Sequence, residues 1–320
     1  MSNLKTRIEH HQIYIYFVAL ILGTIAGMSS ITLSNILDYF VTFFIAILMF
    51  SMFSQIPFST IKNHFLPVKY IIALVISNFF LIPILVYGLI HLFNITSLPI
   101  LIGLYLVLLT PCIDYVIVFT ALGKGNAQYM LISTPILFIL QILLLPFYCA
   151  LFLNSHVLTQ IDRQPFLEAF LTFIVLPLIF AILLQLFSGK FKPMQQLQVM
   201  VGWLPELFMA FVLFTVVGSQ INTIIQDLSI VLTVIPIYLC FMMISPCLGV
   251  LCGKLFRLDV PTLRTLAFSN GTRNALVVLP LALSLPNQWV TIATTVIVTQ
   301  TLTELFGELV YIKLIPKFIK

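Results

Sequence analysis

Ten apolar stretches, each long enough to cross a lipid bilayer, follow one another along this chain with short polar segments between them. Their expected limits are 12–30, 36–57, 67–92, 98–122, 128–153, 166–187, 197–221, 228–252, 260–285 and 289–312. A hydrocarbon core takes about 20 residues of α-helix to cross. No water reaches the backbone there, so a span must be a helix or part of a closed barrel. Barrel strands alternate apolar and polar residues, and these stretches do not. A soluble fold is excluded on composition: 8% of residues are charged and 61% are hydrophobic, against about 25% charged in soluble domains. The expected fold is therefore an all-α polytopic membrane protein. The first apolar stretch, Ile13 to Met28, has no small-residue cleavage site and is expected to stay as a membrane helix.

An even number of spans puts both termini on one side. With that side as the cytoplasm, it holds Lys5, Arg7, Lys62, Lys69, Lys124, Lys190, Lys192, Lys254, Arg257, Arg264, Lys313, Lys317 and Lys320, which is 13 of the 15 positive residues. The opposite side holds Arg163, and Arg273 lies within a span. Lys and Arg in short loops set orientation, so ten spans with both termini cytoplasmic is the expected topology. The net charge of +5 is accounted for by these loops and does not point to nucleic acid as a partner.

The chain also resembles itself. Ser54-Gln55-Ile56 in the second span matches Ser219-Gln220-Ile221 in the seventh, 165 residues later. Gly125-Asn126-Ala127-Gln128 is similarly echoed by Pro286-Asn287-Gln288. An offset of half the chain implies two five-span repeats, 1–160 and 161–320. Five is odd, so the second copy is inverted in the membrane, an architecture of secondary transporters that work by alternating access.

Within this frame two polar interruptions stand out: Thr110-Pro111-Cys112-Ile113-Asp114 in span 4 and Ser269-Asn270-Gly271-Thr272-Arg273-Asn274 in span 9. Pro111 removes a backbone donor, and Gly271 permits an unwound turn. Broken helices in corresponding positions of two halves point to a binding site near the midplane. The free N–H end of a half-helix suits an anion or polar oxygens, and the carbonyl end suits a cation. A charge at bilayer depth costs about 2.5–3.5 kcal/mol, so Asp114 and Arg273 are expected to face each other where the breaks cross. Two readings stay open: a structural ion pair, or a pair that also touches substrate or changes protonation.

Cysteine usage implies no disulfide framework: Cys112, Cys149, Cys240, Cys247 and Cys252 all lie in or beside apolar spans. Cys112 either packs as a small hydrophobe or, beside a helix break and an arginine, serves as a soft ligand. Glu304 and Glu308 share a face of span 10, and Glu304 is the stronger candidate for a proton relay. Glu206, Gln141 and Asn78 read first as interhelical hydrogen-bonding residues. The histidines form no ligand cluster, no nucleotide-binding glycine loop is present, and neither a metal nor another cofactor is expected. An intramembrane hydrolase lacks its Ser/His pair or Asp/Asp dyad.

Thr110-Pro111-Cys112, with an apolar half-helix running to Lys124-Gly125-Asn126, resembles the arsenite-efflux branch of the bile acid/sodium symporter superfamily, as does Ser269-Asn270 with its polar run. The resemblance implies a core domain of spans 3–5 and 8–10 moving against a panel of spans 1, 2, 6 and 7. It also puts Cys112 where that branch binds its metalloid. Two departures bear on coupling. Arg273 stands where the family has a cation-binding glutamate, and Val116 and Ile117 replace polar residues after the first break. Arg273 then takes the place of a bound cation. The expected substrate-binding residues are Cys112, Asp114, Arg273 and Asn274, with Thr110, Pro111, Ser269, Asn270, Gly271 and Thr272 making the breaks. Glu304, Asn78 and Thr134 are the ion-coupling candidates. The function this implies is a secondary carrier in a bacterial inner membrane that exports arsenite-like oxyacids, driven by protons. The alternatives are an organic-anion carrier, with or without sodium coupling, with Arg273 gripping a carboxylate, and a membrane sensor without transport.

Overall fold

The computed structural model describes residues 2–56, 66–153, 163–226 and 228–320, with side chains from Tyr14 onward except at 163, 165, 166, 206, 223, 224, 226 and 287. Lys62, His64, His156 and the expected repeat boundary at 160/161 lie outside the described residues. So do the side chains of Lys5, Arg7, His10, His11, Arg163 and Glu206. Among the described residues the regular structure is helical: α1 (Ser2–Ser29), α2 (Ile31–Gln55), α3 (Val68–Leu92), α4 (Leu98–Leu108), α5 (Val116–Leu122), α6 (Ala127–Phe152), α7 (163–188), α8 (Lys192–Val201), α9 (Leu204–Gln226), α10 (Leu228–Leu255), α11 (Val260–Gly271), α12 (Ala275–Leu283) and α13 (Asn287–Phe318).

Among the described residues, α2, α3, α6, α7, α10 and most of α13 are long and apolar enough to cross a bilayer, and shorter apolar helices lie in α1, α4 and α9. The burial pattern is that of a lipid-embedded protein. Arg273 and Glu308 are 0% exposed and Glu304 1%, while Ile84, Leu143 and Met243 are 65–74% exposed. Water as the surrounding solvent would favour the reverse. The protein is an all-α integral membrane protein.

The helices fall into two compact units. One comprises α1, α2, α7, α8 and α9. Within it α1 lies along α9, and a Cβ at Gly27 would come within 2.2 Å of the Gly218 carbonyl oxygen. Only glycine allows that approach, the usual way membrane helices bring their backbones together. Asn222 ties the crossing by donating to the Gly27 carbonyl at 3.0 Å.

The second unit comprises α3–α6 and α10–α13, and it contains both polar interruptions. Its α3 carries a π-helical turn at Ser77–Leu81, just before Pro83. Pro83 has no N–H to offer the Phe79 carbonyl, and the Tyr148 hydroxyl supplies the missing donor at 2.5 Å. This π turn includes Asn78; such turns are frequent at functional sites.

Candidate functional site

Each interruption leaves backbone groups without helical partners, and each supplies what the other lacks. The non-helical segment after α4 and the three residues Thr272–Asn274 between α11 and α12 meet as an antiparallel bridge between Pro111 and Arg273. Cys112 N–H donates to the Thr272 carbonyl at 3.2 Å, and Asn274 N–H donates to the Thr110 carbonyl at 2.8 Å. In lipid, irregular backbone persists only where the surrounding protein satisfies it.

The second interruption is shorter than its composition suggests. Ser269, Asn270 and Gly271 remain in the last turn of α11. Gly271 has no left-handed backbone angle; what it provides is room, because a Cβ there would lie 2.5 Å from the Tyr311 ring. Asn274 begins α12 by accepting the Val277 N–H at 3.2 Å.

Arg273 accounts for the carbonyl ends. In an unbroken helix the Ser269 and Asn270 carbonyls would take the N–H groups of Arg273 and Asn274. Those groups are committed elsewhere: Arg273 N–H to Glu304 Oε2 at 2.8 Å, and Asn274 N–H to Thr110. The guanidinium folds back instead. Its Nη2 donates to the Ser269 carbonyl at 2.7 Å, the Asn270 carbonyl at 2.8 Å and Asn78 Oδ1 at 2.9 Å. Its Nη1 reaches the Leu108 carbonyl, at the end of α4, at 3.5 Å. The cation therefore caps the C-terminal end of both half-helices, where the macrodipoles concentrate partial negative charge. Phe241 lies beneath it, 5.6 Å from ring centre to guanidinium carbon.

The expected Asp114–Arg273 pair is not the arrangement found. Asp114 Oδ1 instead accepts the Cys112 thiol at 2.7 Å. The reason is electrostatic. Several carbonyl dipoles and Asn78 already surround the guanidinium, so it needs no carboxylate in direct contact. Asn78 is held in turn, its amide donating to the Ser269 hydroxyl at 3.0 Å and to the Leu74 carbonyl at 3.2 Å.

Two carboxyls of α13 complete the arrangement. Glu304 Oε2 receives Arg273 N–H and the Gln300 amide, while Oε1 lies 2.6 Å from the Tyr115 hydroxyl. That hydroxyl is also 3.0 Å from the Arg273 carbonyl. Glu308 Oε1 lies 2.6 Å from the Thr272 hydroxyl, which is 2.7 Å from the Phe268 carbonyl. Several buried polar atoms around the crossing have no protein partner: both side-chain atoms of Asn270, Arg273 Nε, Asn274 Nδ2, Gln300 Oε1 and Glu308 Oε2. Buried polar groups are ordinarily paired, so these atoms are open to a further partner.

The structure thus brings together Thr110, Pro111, Cys112, Asp114, Ser269, Asn270, Gly271, Thr272, Arg273, Asn274, Glu304 and Asn78. Thr134 is not drawn in by any such bond; its hydroxyl donates to the Leu131 carbonyl of its own turn at 2.8 Å. Tyr115 and Gln300 were not anticipated. The available signal was the spacing of Gln300, Glu304 and Glu308, four residues apart on one helix face. Among the described residues no group of three or more His, Cys, Asp or Glu side chains could hold a metal ion. The turn after α5 is fixed to α11: Lys124 adopts a left-handed conformation (φ 57°), and Asn126 N–H donates to the Thr265 hydroxyl at 2.7 Å.

A model of the sodium bile acid symporter family matches residues 42–227, more than half of the chain. The match takes in the first interruption and stops short of the second. No curated protein matches the chain.

Proposed function

The chain belongs to the sodium bile acid symporter family, a family of membrane transporters, and we infer that it is a secondary active carrier exporting arsenite-like oxyacids, driven by protons. The observation that carries this reading is the Cys112 thiol, 2.7 Å from Asp114 Oδ1, in the unwound segment where the two broken helices meet. A trihydroxide of a soft metalloid is uncharged at neutral pH and exchanges hydroxyls for thiolates. Cys112 would form a sulfur–metalloid bond as one hydroxyl leaves. Asp114 takes the thiol proton and returns it to that hydroxyl, so one water is released and the charge is unchanged.

The organic-anion alternative draws less support. A carboxylate grips arginine through two parallel N–H groups, and either face of the guanidinium needs Nη2. That nitrogen is already committed to Ser269, Asn270 and Asn78. The same commitment favours Arg273 as a built-in cation in place of bound sodium. In this reading ten spans form two inverted five-helix repeats, and the unit bearing the crossing alternates its access between the two sides of a bacterial inner membrane. The bias of loop Lys and Arg favours cytoplasmic termini.

Metalloid accumulation in cells lacking their own arsenite efflux tests the reading. Expression of the wild type should lower accumulation, and Cys112→Ser should return it to the level of cells without the carrier. Retained efflux in that variant would overturn the proposed cargo.

A further inference from the structure

We propose that Glu308 is a proton-binding site of this protein, that it is protonated in the state seen here, and that it acts on the crossing through Thr272. The transport reading above enters only at the last step, where the proton becomes the coupling ion.

The assignment follows from counting donors. Glu304 and Glu308 are both buried, one turn apart on α13, yet they are served very differently. Glu304 has two committed donors on Oε2, Arg273 N–H and the Gln300 amide, and on Oε1 the Tyr115 hydroxyl, whose one proton it shares with the Arg273 carbonyl. That is the environment of an ionised carboxylate, and its charge offsets the Arg273 cation. Glu308 has one neighbour, the Thr272 hydroxyl, on Oε1, and none on Oε2.

Thr272 has a single hydroxyl proton, and that oxygen lies 2.7 Å from the Phe268 carbonyl as well as 2.6 Å from Glu308. An ionised Glu308 would need that proton, would keep Oε2 bare, and would add a second negative charge beside Glu304. A protonated Glu308 removes the first and third difficulties and eases the second, because an unpaired Oε2 is then a neutral carbonyl oxygen and not part of an anion. It donates to Thr272, and Thr272 donates to Phe268.

The position gives the proton leverage. Thr272 is the first non-helical residue after α11, and its carbonyl receives the Cys112 N–H that joins the two interruptions. Losing the proton would turn the Thr272 hydroxyl from the Phe268 carbonyl to Glu308, loosening the last turn of α11 next to the segment that carries Arg273. The titratable groups facing this corner are Glu304 and Tyr311 on α13, Arg273 after α11, and Tyr115, Cys112 and Asp114 after α4. The helix α10 contributes an acceptor, the Met242 carbonyl, which takes the Tyr311 hydroxyl.

Infrared spectra of the purified protein in lipid read neutral carboxyl groups directly and need no substrate. The wild type should show a buried neutral-carboxyl band that Glu308→Gln removes and Glu304→Gln retains. Thr272→Val, which takes away only the hydroxyl partner, should shift that band to higher frequency and keeps the test available if Glu308→Gln folds poorly. The absence of such a band in the wild type would overturn the proposal, as would its survival unchanged in both Glu308→Gln and Thr272→Val. Proteoliposomes then separate this inference from the cargo reading. Arsenite flux driven by a pH gradient should fall in Glu308→Gln to the rate without a gradient. A wild type with the band but no arsenite flux refutes the cargo and leaves the proton site standing.

Discussion

Replacing Arg273 with Ala removes the cap shared by the two half-helices, and the structure sets the expected loss. Three acceptors depend on Nη2: the Ser269 carbonyl, the Asn270 carbonyl and Asn78 Oδ1. The backbone N–H groups that could replace it at the two carbonyls are held by Glu304 and Thr110. All three would be left bare in a site closed to solvent. At about 1–3 kcal/mol for each buried unsatisfied group, the loss is about 3–9 kcal/mol. Stranding Glu304 without its compensating charge acts in the same direction, since breaking a buried pair costs about 3–5 kcal/mol; the two estimates overlap and do not add. With about 2–4 °C of melting temperature per kcal/mol for 150–250 residues, the Ala variant should melt about 6 °C or more below the wild type. Thermal unfolding of detergent-purified protein measures this. Arg273→Lys, which keeps the charge but loses the planar fork, should fall between the two. Millimolar methylguanidinium should raise the melting temperature of the Ala variant and leave the wild type unchanged. An Ala variant melting within about 2 °C of the wild type would refute the capping argument, and with it the view of Arg273 as a built-in cation.

Two further outcomes follow from the same contacts. Transport measured at constant membrane potential should not change when sodium is exchanged for potassium, because the oxygens that could gather a cation at the end of α11 already hold the guanidinium; a steep sodium dependence would show a separate cation site. Gly271→Ala should destabilise the protein by about 1–3 kcal/mol through overpacking, since its Cβ would lie 2.5 Å from the Tyr311 ring. Tyr311 is anchored by its hydroxyl to the Met242 carbonyl, so an unchanged melting curve for Gly271→Ala would show that this anchor gives way freely.

What could be read ahead of the structure was whatever depends on chemistry local in sequence. Pro111 cannot continue a helix, and a polar string inside an apolar span must find internal partners, so both interruptions were legible. Their partners were not. Arg273 called for compensating charge, and the nearest formal opposite was Asp114. A sequence does not display partial charges, whereas the exposed carbonyls of two helix ends together supply as much. For the same reason Ser269 and Asn270 read as broken backbone. They stay helical because the guanidinium satisfies the carbonyls that the break exposes. Tyr115 was hidden for another reason: beside an apolar half-helix a tyrosine reads as filler, and only the position of α13 reveals that its hydroxyl meets Glu304.

The fixed cation also decides where a driving ion could act. A proton crossing a gradient of one pH unit brings about 1.4 kcal/mol, and a unit charge crossing 100 mV brings about 2.3 kcal/mol. A pH gradient reaches the protein only through a group that gains and loses a proton, and a voltage only through a charge that changes or moves across the field between the two states. Arg273, tied to two helix ends, is fixed in charge and in place, so it can shape the site without drawing on a gradient. A carboxyl that touches the crossing and is poorly served as an anion meets the requirement. Glu304 meets the first condition and fails the second, because the two donors committed to its Oε2 favour the ionised form. Glu308 meets both, through one hydroxyl to the residue where α11 gives way. The proposed division is therefore a static positive charge that holds the crossing together and a titrating acid four residues from its counter-charge. It makes proton coupling and the absence of a sodium requirement two consequences of one arrangement.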